Sequence, residues 1–96
     1  MGLVLRTPLA EEDMVGIWRY ISQGDPRQAD RFFDKLHDTA ETLAEFPSLG
    51  NSRPELGANV RSHPVDRYVV YFRAMDDGIE ILRVFSAYRD ILTAWR

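Results

Sequence analysis

The chain has 96 residues, 45% of them hydrophobic and 28% charged, with a net charge of −3 and no cysteine. That length supports one modest core, so a single domain over residues 1–96 is expected, and no apolar run approaches the ~20 residues needed to span a membrane. The absence of cysteine excludes disulfide staples and thiolate metal sites and fits a reducing cytoplasm, while the acidic balance argues against stable direct binding to DNA.

Leu3, Val4 and Leu5 make a short β-prone run that Thr7 and Pro8 end. This opening has neither the basic start nor the long apolar stretch of a secretion signal. Pro8 suits an early helical position, and Glu11, Glu12 and Asp13 fall where the helix dipole favours acids. Met14, Ile17, Trp18 and Ile21 then recur at helical spacing, and Gly24 ends the run. Asp25 reads as the N-cap of a second helix, with Pro26 at its first position and Gln28 at the capping-box position. Its stripe of Ala29, Phe32, Phe33, Leu36, Ala40 and Leu43 runs to about Phe46, where Pro47 and Gly50 stop it. So short a break predicts an antiparallel helical hairpin. Trp18, Phe32 and Phe33 are expected in the core.

Residues 47–59 are rich in Pro, Gly, Ser and Asn and read as a loop. Residues 60–65 are extended, with Pro64 suited to a sheet edge. Residues 67–75 (RYVVYFRAM) are aromatic and β-branched and predict a central strand; Asp76, Asp77 and Gly78 make a tight turn into a partner strand over 79–87. Residues 88–96 return to helical character through Ile91, Leu92 and Trp95. The expected fold is α+β in the order β-α-α-β-β-β. A mostly antiparallel sheet carries the helical hairpin on one face, a short helix follows at the C-terminus, and the other face stays partly open for a partner.

Charge is uneven along the chain. Residues 1–47 hold five Lys or Arg and nine acids, whereas residues 48–96 hold seven arginines and six acids. Arginine suits bidentate recognition of carboxylate or phosphate, so the second half has the character of a recognition surface. Arg61, Arg73 and Arg83 fall on three predicted strands, where they either project together toward acidic groups of a partner or make an ordinary solvated face. Parity along the last strand groups Arg83 with Ile79, Ile81 and Phe85, an apolar setting in which a charge needs a counter-ion. Tyr88, Arg89 and Asp90 follow that strand, and Arg89 is the strongest contact candidate; Asp90 reads equally as a helix cap. Tyr68, Tyr71 and Phe72 are expected core aromatics. His37 and His63 lack a second ligand at metal spacing, and no glycine-rich phosphate loop is present, so neither metal nor cofactor is expected.

Three stretches, FPSLGNSRPEL, VRSHPVDRYVVYFR and IEILRVFSAYRD, together with the spacing from Pro8 to Asp90, resemble the ParE toxins of the ParE/RelE superfamily. The resemblance implies the same β-α-α-β-β-β fold and a small cytoplasmic growth inhibitor, the toxin half of a type II toxin–antitoxin module of the plasmid-stabilisation kind. It implies DNA gyrase as the target and a ParD-like antitoxin as the neutralising partner in a hetero-oligomer. Arg61, Arg73, Arg83, Tyr88, Arg89, Asp90 and Trp95 are then the candidate target or antitoxin contacts. The sibling RelE toxins cut messenger RNA on the ribosome, and that activity is the alternative. Their pattern of a strand arginine, an arginine after the last strand and a C-terminal tyrosine meets Tyr68, Arg89 and Trp95 here. Only Arg89 matches, and it would be the catalytic cation if the chain were a nuclease. Tyr68 and Trp95 depart from the pattern and favour a binding toxin with no catalytic residue.

Overall fold

In the computed structural model, which describes residues 2–95, strand turns to helix at Thr7. β1 spans Leu3–Arg6 and α1 spans Pro8–Gly24. Thr7 stays extended, and its hydroxyl oxygen accepts the Ala10 amide, satisfying a donor that the first helical turn cannot. Asp25 serves two helices at once. Its backbone N–H donates to the Ile21 carbonyl to close α1, and its carboxylate accepts the Arg27 amide to open α2, Pro26–Glu45. The capping box expected at Gln28 does not need to form, because the Asp25 amide is already bonded to the preceding helix.

The remaining strands are β2 (Asn51–Ser52), β3 (Val60–Val65), β4 (Tyr68–Met75) and β5 (Gly78–Ser86), followed by α3 (Ile91–Ala94). They form one sheet in the order β1-β5-β4-β3-β2, with β1 parallel to β5 and the other neighbours antiparallel. The fold is therefore the expected α+β arrangement, with β4 central and β3 paired to β2 only at Arg61 and Ser62. Pro64 lies beyond that pairing, on an edge where its missing N–H costs nothing. The loop read over 47–59 is more structured than its composition suggests: it holds two single 3-10 turns and β2.

Ala10, Met14 and Ile17 of α1 and Phe32, Leu36, Ala40, Leu43 and Ala44 of α2 pack on Val65, Val70, Phe72, Ile79, Ile81 and Val84 of the sheet. Trp18 departs from the expected core and is 43% exposed. α1 packs over β5, near the sheet margin, so its outer flank has no strand beneath it. Phe33 is half-buried at the edge of the same cluster, with its ring edge-on to Phe32.

The opposite face is not left open. Leu56, Val60, Tyr71 and Phe85 form a second cluster, and Ile91, Ala94 and Trp95 fold back over it. A bulge in β5 makes this possible. Tyr71 opposes Arg83 and Phe72 opposes Ile81, so Leu82 is an extra residue in β5. The bulge breaks the simple alternation. Ile79, Ile81 and Val84 all face the helices, while Phe85 joins the second cluster.

Candidate functional site

The second half of β5 runs past the end of β1 and would have a bare edge. Side chains from the start of α1 complete it. Thr7 donates its hydroxyl to the Leu82 carbonyl at 2.8 Å. The Asp13 carboxylate accepts the Val84 amide at 3.1 Å and the Arg83 Nε and Nη2 at 2.8 and 3.0 Å. Both side chains of this ion pair are nearly buried, at 11% and 13% exposure. The hydrogen bonds from Arg83 to Asp13 raise the guanidinium above its ordinary pKa, outweighing the opposing effect of burial. Asp13 is therefore the partner that the charge on β5 requires, and sequence pattern alone did not single it out. The signal was an acid in the first turns of a helix leading directly from an edge strand.

Beside this pair lies an open cleft of about 510 Å³ lined by Leu9, Arg83, Arg89, Asp90, Thr93 and Ala94. Phe85 organises its cationic wall: the Arg83 and Arg89 guanidinium carbons lie 4.3 and 4.8 Å from the ring centroid. Asp90 caps α3, its carboxylate accepting the Leu92 amide and the Thr93 hydroxyl. Arg89 itself is exposed, and among the described residues it has no carboxylate within ion-pair distance. The cleft thus presents one available cation on an aromatic platform next to a second cation that is already neutralised.

The other sequence candidates scatter. Arg61 opposes Phe72, so it belongs to the helix side of the sheet, where it donates to the Gly50 carbonyl at 2.9 Å. Arg73 lies on the opposite face and pairs with Glu80 at 2.8 Å. Arg61, Arg73 and Arg83 therefore do not form one projecting set, because Arg61 has the other parity and all three are engaged within the chain. Tyr88 is 85% exposed. Trp95 stacks edge-on against Tyr71 with centroids 5.5 Å apart, so it serves to hold the C-terminal segment on the sheet. Tyr68 packs against Phe32 on the helix side, away from the cleft, and burial raises its phenol pKa with a smaller contribution from Tyr20. Among the described residues no group of three His, Cys, Asp or Glu is placed to hold a metal.

A protein-family model described as "ParE toxin of type II toxin-antitoxin system, parDE" matches residues 4–91, from β1 to the first residue of α3. The chain belongs to the ParE toxin family. It is 25% identical over 87 residues to Toxin ParE3 of Caulobacter vibrioides, covering 90% of this chain and 87% of that relative. Its fold matches a chain of a chromosomal ParDE toxin–antitoxin system from P. aeruginosa with a TM-score of 0.70 at 22% identity, covering 90% of this chain and 96% of that one. This ParE toxin thus carries the family's helical hairpin and sheet, with the cleft at the exit of β5 as its candidate contact site. Among the described residues no helix is long and apolar enough to cross a membrane.

Proposed function

We propose that this toxin arrests growth in the cytoplasm by binding DNA gyrase, without chemistry of its own, and that a ParD-like antitoxin neutralises it in a hetero-oligomer. The observation that carries a contact mechanism is the state of Arg83. A nuclease needs cations free to meet phosphate charge as it develops. Here Arg83 is bound on two nitrogens by Asp13, which leaves Arg89 as the cation of this cleft that a partner can reach. The two other positions matched to the nuclease pattern support the same reading: Tyr68 is packed on the helix side, and Trp95 is packed on Tyr71. Arg89 is the contact residue, and Phe85 holds it in place. The antitoxin has a separate apolar surface available on the outer flank of α1, where Val15 and Trp18 are half exposed one turn apart.

Purified toxin is tested against gyrase with relaxed plasmid and, in parallel, against translating ribosomes with messenger RNA. Lost supercoiling with intact message is the expected result, and Arg89→Ala is expected to weaken it by about tenfold or more while leaving the unfolding midpoint nearly unchanged, as for an exposed contact residue. Cut message with active gyrase would establish the nuclease reading in its place.

A further inference from the structure

β1 is the margin of the sheet, and among the described residues no strand lies beside its outer edge. The amides of Leu3 and Thr7 donate inward, to Asp77 and Ile81. Strand geometry then turns the N–H and C=O groups of Val4 and Arg6 outward, toward the free edge. Protected edges usually carry inward charges, proline or a covering segment. Here Leu3 and Leu5 stand 48% and 39% exposed on the face away from the helices, and the edge's one charge, Arg6, reaches sideways to Glu11 at 3.8 Å. On the helix side, Val4 borders a cavity of about 210 Å³ whose walls are the apolar Met14, Leu36, Ala40 and Ile81 together with Arg6, His37 and Glu41.

We infer that β1 pairs antiparallel with β1 of a second copy of this chain, joining two sheets across a two-fold axis. One register satisfies the whole edge. With Val4 opposite Val4 of the second copy, the outward-facing backbone groups of both strands meet, and Leu3 lies opposite Leu5 of the second copy in a close, non-hydrogen-bonded pair. The exposed leucines then cover one another, and the incoming valine lies over the mouth of that cavity. Charge favours the same register. It brings Arg6 of the second copy across from Gly2, which abuts Ala44 at the end of α2. That helix end carries Glu41 and Glu45, has no basic residue in its last turn, and so attracts a cation. Sliding the register until Arg6 faces its own copy would oppose like charges and leave Leu3 uncovered. β1 is only four residues long, so association is weak and concentration-dependent.

The cysteine-free chain allows a register-specific test. A mixture of Leu3→Cys and Leu5→Cys chains is expected to form a disulfide-linked dimer under mild oxidation, while either variant alone does so at least about tenfold less, because each thiol faces a leucine in its own homodimer. Sedimentation of the unmodified toxin is expected to show a dimer fraction that grows with concentration, and Leu5→Lys to shift that midpoint upward by about tenfold or more. Three results would overturn the inference. One is a monomer at every soluble concentration. Another is a single-cysteine variant cross-linking as well as the mixture. The third is a Leu5→Lys variant with unchanged self-association but weakened antitoxin binding, which would give the edge to an antitoxin strand instead.

Discussion

Asp13 ties the start of α1 to the unpaired half of β5. Its carboxylate accepts from a backbone amide of β5 and from two nitrogens of Arg83, so it stands in for the strand that β5 lacks at that point. Asp13→Ala would leave a nearly buried arginine without its counter-ion and the Val84 amide without an acceptor. A loss of about 3 kcal/mol is expected, seen as a lower urea midpoint. A midpoint shift well under about 1 kcal/mol would mean that the pair is already solvated. The need for such a partner was readable in the sequence, since Arg83 interrupts an otherwise apolar strand. Its identity was not, because Asp13 is 70 positions away and meets Arg83 only after α1 crosses the sheet margin.

At the scale of elements, the C-terminal segment was legible as a short helix but its position was not. Ile91, Ala94 and Trp95 cover the face of the sheet that the sequence left open for a partner. The reason is the bulge at Leu82, which delivers Phe85 to that face and makes an apolar seat beside Tyr71. A half-buried tryptophan on such a seat contributes less than a fully buried one, so Trp95→Ala is expected to cost about 1–2 kcal/mol and to expose the cluster to a hydrophobic dye. Unchanged dye binding would show that the segment is not seated there in solution. The helical hairpin, by contrast, was legible in its boundaries, though Trp18, expected in the core, is exposed. The hairpin's cap at Asp25 was read from the sequence and the one at Thr7 came with the structure; both are local chemistry, fixed by neighbours within three positions.

Across the whole molecule, one sheet is shared by two apolar clusters, one under the helices and one under the C-terminal segment. Each contains a tyrosine held against ionisation. Burial raises the Tyr68 phenol pKa, with Tyr20 adding to it; burial also raises that of Tyr71, which Arg53 lowers and Glu55 raises in smaller measure. The sign follows from linkage. The folded state retains these protons to higher pH than the unfolded chain, so their contribution is fully present below about pH 10 and is lost as pH rises through the raised folded values. Urea midpoints are therefore expected to fall as pH rises above about pH 10, and Tyr71→Phe is expected to flatten that fall. An equally steep fall in the variant would remove Tyr71 as a cause.

By itself the sequence determined the order of elements, the helix boundaries, the central strand, the turn at Asp76–Gly78 and the family. Each of these rests on spacing, capping or composition within a short window, or on motifs that survive as strings. Tertiary structure alone decided which of the four candidate arginines is available. Arg61, Arg73, Arg83 and Arg89 are chemically alike along the chain, and what separates them is the partner that folding brings to each: the Gly50 carbonyl, Glu80, Asp13, and for Arg89 the face of Phe85. A carboxylate or carbonyl neutralises or engages a guanidinium, whereas an aromatic ring holds its position and leaves its charge for a partner.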